Sequence, residues 1–246
     1  MSMEAYESGD RWSIYLGDCM EIMRNLPIGS ADVVLTDPPY ATAGGNTNGR
    51  SSGADTQFWE YWFRSVWGRV ADVTKGGGCG FVFADWRMIA AAASAISGGI
   101  DRQGGRAWAL SQGLVWDRKH LGMGAPFRSG YEMIGFVRGP LWKQDPKLIP
   151  RNLRAVIEHP WRYGSHPHHG AEKPVALCRQ LLEWAGPGVV FDPFMGSGTS
   201  GVAAISLPGR RFIGIERDER YAETATRRLC EAERALDQVA MFPSSP

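Results

Sequence analysis

Val33-Val34-Leu35-Thr36-Asp37-Pro38-Pro39-Tyr40 is the stretch on which the reading of this chain turns. The short apolar run Val33 to Leu35 reads as a buried strand. It stops at Asp37, because two successive prolines can continue neither a helix nor a ladder. The strand end therefore offers one carboxylate, free backbone carbonyls and one exposed aromatic ring. Pro38 and Pro39 carry no amide hydrogen, so the turn accepts hydrogen bonds and hardly donates them. Such an edge suits a flat substrate bearing an amino group, as adenine and cytosine do. The plainer alternative is that Asp-Pro-Pro-Tyr only terminates a strand.

A second stretch lies far downstream. Val189-Val190-Phe191 reads as a central buried strand, followed by Asp192-Pro193-Phe194-Met195-Gly196-Ser197-Gly198-Thr199 and a helix. Glycines let a backbone pass close to a ligand and open a helix N-terminus toward it. A P-loop is excluded, since no Gly-Lys-Ser/Thr follows. Arg211-Phe212-Ile213-Gly214-Ile215 reads as the next strand and ends at Glu216, 18 residues after Gly198. A carboxylate there can hold both hydroxyls of a ribose. A dinucleotide-binding dehydrogenase would show the same two features, so this half alone leaves nicotinamide and S-adenosylmethionine cofactors equally open.

Taken together, and in this order, the two stretches resemble the S-adenosyl-L-methionine-dependent DNA amino-methyltransferases, specifically their circularly permuted β group. The resemblance covers most of the chain. It implies a single doubly wound, mostly parallel α/β sheet of the Rossmann-like methyltransferase type with an antiparallel hairpin, residues 1–246 forming one domain. The strand before Asp18, which normally follows the one ending at Glu216, here opens the chain. The resemblance also implies roles. Asp37, Pro38, Pro39 and Tyr40 become the catalytic segment, with Tyr40 stacked on the base. Asp18, Asp37, Asp192, Pro193, Phe194, Gly196, Ser197, Gly198, Thr199 and Glu216 become cofactor-binding residues, and Lys173 a partner for the cofactor's carboxylate. The substrate is a base flipped from double-stranded DNA. Asp at the head of the motif favours adenine-N6 transfer in that family; cytosine-N4 transfer is the alternative, and a non-catalytic nucleic-acid-binding protein of the same fold is a third reading.

Composition agrees with a globular protein: 246 residues, 43% hydrophobic and 22% charged. No apolar stretch approaches a membrane span. Glu4, Glu7 and Asp10 are the wrong pattern for a signal peptide. Cys19, Cys79, Cys178 and Cys230 show no paired spacing, which points to reduced thiols and a cytoplasmic protein. The net charge is only +1, but eleven Arg and Lys face four Asp and Glu between Arg102 and Arg162. A basic middle in an otherwise acidic chain is the pattern of a DNA-facing side.

The rest is read from local pattern. Residues 1–10 are expected to fray. Asp18 is placed to cap a helix from Cys19 to Leu26. Residues 41–57, rich in Gly, Asn and Ser, read as a mobile loop over the site. Phe58 to Val73 reads as a helix with Trp59, Trp62, Phe63, Val66 and Val70 in its core stripe, leaving Tyr61 and Trp67 to face a ligand. Lys75 to Gly78 reads as its glycine cap. Strands Trp108–Asp117 and Tyr131–Arg138 are joined by a basic, Gly-rich connector. Arg118, Lys119, Phe127 and Arg128 on it are candidate DNA contacts. Residues 139–165 are irregular, and the resemblance makes them a short target-recognition segment. His166-Pro167-His168-His169 lacks the partners of a metal site, so no metal is expected. The oligomeric state is left open, a homodimer included.

Overall fold

A computed structural model describes residues 4–40, 53–99, 108–120, 126–147, 149, 152–160 and 172–241. Nine strands form one sheet. In chain order they are β1 (Glu7–Ser8), β2 (Trp12–Leu16), β3 (Ala31–Thr36), β4 (Thr74–Ala84), β5 (Ala109–Asp117), β6 (Tyr131–Arg138), β7 (Val156–Glu158), β8 (Gly188–Asp192) and β9 (Arg210–Glu216). The helices are α1 (Cys19–Asn25), α2 (Gly53–Val73), α3 (Ile89–Gly98), α4 (Val175–Glu183), α5 (Thr199–Ile205) and α6 (Glu219–Met241). The spatial order is β1-β2-β9-β8-β3-β4-β6-β5-β7.

Because side chains alternate along a strand, each buried strand feeds two cores. Val33 and Leu35 of β3 join Leu177 and Leu181 of α4, Ala203 of α5 and Leu229 of α6 on one face. Val34 points the other way, into Met23 of α1, Phe63 and Val66 of α2 and Ala92 and Ala95 of α3. Helices therefore cover both faces, as a parallel sheet requires.

The connections explain where a ligand can sit. From β3 the chain winds outward to β4; from β8 it winds the opposite way to β9. β3 and β8 are parallel neighbours, with Val33 opposite Val190 and Val34 opposite Phe191. The winding reverses between them, so a crevice opens beyond their carboxyl ends. β2 completes the set by pairing in parallel with β9, Leu16 opposite Glu216. That pairing is the permutation expected from the order of motifs.

Several expectations shift. The N-terminus is tied down from Glu7, which pairs with Ile14. Arg11 N and Trp12 Nε1 donate to the Glu233 carboxylate of α6. Helix α2 begins at Gly53, so residues 53–57 of the expected loop are helical; residues 41–52 lie outside those described. Within α2 it is Trp67 that is fully buried, edge-on to Trp108 at 5.8 Å, whereas Trp62 is 37% exposed. The stripe centred on Trp59 and Phe63 widens on the Trp67 side because α3 and Trp108 close that flank. Gly76 to Gly78 are strand, not a helix cap. The expected recognition segment contains a strand, β7, parallel to β5. The His166–His169 run lies outside the described residues. Among the described residues no helix is long and apolar enough to cross a membrane.

Gly80 marks how tightly β3 and β4 close. A Cβ there would lie 2.1 Å from the Val34 carbonyl oxygen. Gly80→Ala is expected to destabilise the fold by about 1–3 kcal/mol through overpacking, measured as a lowered urea midpoint at unchanged slope.

Candidate active site

A cleft of about 710 Å³ lies beyond the ends of β2, β3, β8 and β9. This is the size range of small-molecule sites. It brings together Asp18, the Asp37 to Tyr40 segment, Lys173, Asp192 to Ser197, Thr199 and Glu216. Gly198 sits just behind it: a Cβ there would lie 2.8 Å from that of Ala225 on α6, and its φ of 83° is left-handed. Gly196 also has a left-handed φ, 53°, but a Cβ on it would meet nothing within 4 Å. Gly198 thus permits the close passage of α6, and Gly196 leaves backbone bare toward the cleft.

Asp192 is the knot beneath the site and is only 4% exposed. Its Oδ1 accepts from Thr36 Oγ1 at 2.8 Å and Phe194 N at 3.0 Å, and its Oδ2 from Ser200 Oγ at 2.6 Å. One carboxylate so joins the end of β3, the turn after β8 and the start of α5. It braces the glycine turn against β3. Burial pushes its carboxyl up to about 7, against the opposing pull of those hydrogen bonds.

The glycine turn has a second support that the sequence reading missed. Arg228 of α6 donates from Nη1 to Ser197 O, Ser197 Oγ and Thr199 Oγ1 at 2.7, 2.9 and 3.2 Å. Its Nη2 lies 2.5 Å from Glu172 Oε1, which also accepts from Thr199 Oγ1 at 3.0 Å. Ser197 and Thr199 are therefore engaged from behind. No local signal in the sequence distinguishes Arg228 from the other charges of α6.

Glu216 closes β9 at the cleft wall. Its Oε2 accepts from Gly196 N at 2.9 Å and its Oε1 from the amides of Arg217 and Asp218 at 2.7 and 2.8 Å. Asp18 caps α1, its Oδ1 accepting from Met20 N and Glu21 N at 2.8 and 3.2 Å, while lining the same cleft. The bare backbone at Gly196, the flanking carboxylates of Glu216 and Asp18, and the Phe194 ring fit an adenosyl group. Phe194 packs on Trp62 with ring centroids 5.6 Å apart.

The Asp37 carboxylate is held on both oxygens. Oδ1 accepts from Tyr40 Oη at 2.8 Å and Oδ2 from Lys173 Nζ at 2.5 Å. Two expectations change here. The Tyr40 ring is half-buried and packed on the core, with burial and then the Asp37 charge raising its phenol, so it stays a donor. The Pro39 carbonyl accepts from Trp59 Nε1 at 2.6 Å and is not free. Lys173 is 8% exposed and turned to carboxylates of the chain itself: Glu132 Oε2 lies 3.4 Å from its Nζ. Burial alone would lower Lys173; Asp37 and Glu132 override it and raise it. Its ammonium is thus paired with Asp37.

Of the candidate DNA contacts, Phe127 is 92% exposed and Arg128 is exposed as well. Arg118 and Lys119 are paired within the chain. Arg118 donates to Ser129 O at 2.9 Å and Glu132 Oε1 at 3.3 Å. Lys119 lies 2.9 Å from Asp117 and 3.2 Å from Glu158. None of the four lines the cleft.

Two cysteines do line it. Burial pushes the Cys19 thiol up to about 11 and the Cys178 thiol up to about 12. Neither is a thiolate at neutral pH, so neither is a ready nucleophile.

Comparison with known proteins agrees with this geometry. The family model described as DNA methylase matches residues 31–227. YubD of Escherichia coli (strain K12), a methylase by its name, is 30% identical over 226 residues, covering 91% of this chain and 92% of that protein. DNA adenine methyltransferase YhdJ of the same strain is 24% identical over 251 residues, covering 88% and 82%. Among solved structures, the M1.HpyAVI–SAM complex superposes with a TM-score of 0.64 at 24% identity over 89% of this chain and 99% of that one. The cytosine-N4-specific PvuII DNA methyltransferase gives 0.71 at 18% identity, over 94% and 92%. Both structural likenesses bear on the fold.

The raised Asp192 carboxyl has a consequence for stability. Its folded value of about 7 stands above the ordinary 3.8, so the native state holds this proton longer than the unfolded chain does. Between about pH 4 and pH 7 that contribution falls as pH rises, by on the order of a few kcal/mol, and is flat above. Asp192→Asn is expected to flatten the fall, read as the difference in unfolding free energy between wild type and variant across that window.

Proposed function

We propose, from the premise that this chain belongs to the DNA methylase family, that it transfers a methyl group from S-adenosyl-L-methionine to the N6 amino nitrogen of an adenine flipped out of double-stranded DNA. The observation that carries this reading is the Asp37 carboxylate, set at the end of β3 beside the β8 glycine turn and joined to it by the Thr36–Asp192 hydrogen bond. An amine acceptor and an adenosyl-sized pocket share one cleft.

Bound S-adenosylmethionine supplies an electrophilic methyl on a sulfonium and is left as a neutral thioether. The chain's own residues do the rest. An aromatic amine is a poor nucleophile because its lone pair is delocalised into the ring. An N–H···Oδ bond to Asp37, with a second to the Pro38 carbonyl, favours a pyramidal nitrogen with that pair localised. The same acceptors stabilise the positive charge that grows on nitrogen as the N–C bond forms. The nitrogen then sheds one proton to water, restoring a neutral methylamine. Glu216 would hold the ribose hydroxyls, and Asp18 with Phe194 the adenine ring of the cofactor. A ring-carbon mechanism would need a thiolate, which neither buried cysteine supplies.

Flipping the target costs a few kcal/mol. Aromatic stacking returns about 1–3 kcal/mol per base. Trp62 and Tyr40, whose rings line the cleft, would supply it. Residues 139–165 would read the DNA sequence; their strand β7 pairs with the end of β5, from which the connector leaves.

Nucleoside analysis after incubating plasmid DNA with labelled methyl donor tests the reading. Label on N6-methyladenine is expected. Label on N4-methylcytosine would transfer the assignment to the cytosine class, and unlabelled DNA would end it. Asp37→Ala is expected to lower transfer by on the order of 100-fold or more while the cofactor still binds. Glu216→Gln is expected to raise the cofactor Kd by about 10–100-fold, as loss of a charge-assisted hydrogen bond does; calorimetric titration measures it.

A further inference from the structure

Both oxygens of Asp37 are already engaged before an amine arrives. Tyr40 holds Oδ1 and Lys173 holds Oδ2. A donor already on the carboxylate competes with the amine, and Asp37 accepts from the base best when one of them yields. Tyr40 is anchored by its packed ring, and its hydroxyl is a neutral donor. Lys173 is the mobile candidate, an ammonium on a flexible stem. It is also buried, so it cannot leave for solvent, and a buried charge without a partner is costly. It needs a second carboxylate within reach.

Glu132 is that carboxylate. Its Oε2 already lies 3.4 Å from Lys173 Nζ, against 2.5 Å for Asp37 Oδ2. The same oxygen is buried and makes no closer hydrogen bond. The other oxygen, Oε1, takes Arg118 at 3.3 Å. Phe83, 5.3 Å beneath the ammonium, gives it an aromatic floor in either position. β6 presents Glu132 at the cleft because Met133 pairs with Ala84 at the end of β4.

We infer that Glu132 is a positioning residue: it receives the Lys173 ammonium when the target amine takes Asp37 Oδ2. The inference rests on the amino-methyltransferase reading and deepens it. Before the base arrives, Lys173 keeps Asp37 in place as an ion pair. On arrival, the amine replaces it at Oδ2, and the ammonium closes on Glu132. No charge enters or leaves the pocket. Asp37 is thereby relieved of a positive neighbour at the moment positive charge develops on the amine. Arg118, held on the far oxygen, ties this carboxylate to the connector that borders the DNA.

Two experiments test the assignment. In a crystal structure of the wild-type enzyme with S-adenosylhomocysteine and a target duplex, Lys173 Nζ is expected closer to Glu132 than to Asp37, with the base amine on Asp37. An ammonium still on Asp37 beside a seated base overturns the inference. In single-turnover kinetics, Glu132→Gln is expected to slow methyl transfer on the order of 100-fold, the scale of a misplaced reacting group, with cofactor affinity little changed. On a Lys173→Gln background, adding Glu132→Gln should cost nothing more, because no ammonium remains to be received. Losses that multiply would mark Glu132 as a mere structural support and overturn the role. Wild-type enzyme that methylates no DNA would instead remove the reading beneath it, while normal wild-type turnover with an unaffected Glu132→Gln variant would remove this inference alone.

Discussion

The Asp192 carboxylate is the constraint from which the site follows. Thr36 and Ser200 are 156 and 8 residues away from it in sequence, yet both donate to it. Because Thr36 is bonded to Asp37, the position of the Asp37 carboxylate is fixed relative to the glycine turn by one side chain. A buried carboxylate with three donors is costly to desolvate and strongly directional once satisfied. It resists sliding of β3 against β8, which would misplace the two halves of the cleft. The raised Asp192 carboxyl is the thermodynamic trace of that arrangement.

Around this fixed point the charges fall into two groups. Behind the cofactor side, Glu172 and Arg228 pair and brace the glycine turn through Ser197 and Thr199. On the β3 side, Asp37, Lys173, Glu132 and Arg118 alternate in sign from the Asp37 carboxylate to the connector. The first group is rigid because every partner is short and held by helix or turn. The second contains the two longest contacts, 3.4 Å between Lys173 and Glu132 and 3.3 Å between Glu132 and Arg118, and is where rearrangement costs least.

Much of this was legible in the residues. The two prolines after Asp37 and the glycines after Asp192 mark strand ends by backbone chemistry alone, and the order of the motifs gave the permuted sheet. Long-range partners were not legible. Lys173 carries no mark in the sequence to say that its ammonium turns to Asp37. Glu132 reads as an ordinary polar residue at the start of a strand, and Arg228 as one charge among many on an amphipathic helix. Trp62 and Trp67 exchanged roles because helical spacing gives the centre of a stripe but not which flank a neighbouring element will cover. The Gly76–Gly78 run resembles a cap locally; in the fold it lies within β4, its Gly76 and Gly78 carbonyls accepting from Leu141 N and Gly139 N.

The central claim is that one cleft holds both the methyl donor and the acceptor of the target amine. A crystal structure of the protein with S-adenosylmethionine tests it most directly. The account requires the ribose against Glu216 and the sulfonium methyl turned to Asp37, with space between them for one amino nitrogen. A cofactor seated with its methyl away from Asp37, or bound at the opposite end of the sheet near Asp32 and Trp142, would contradict it.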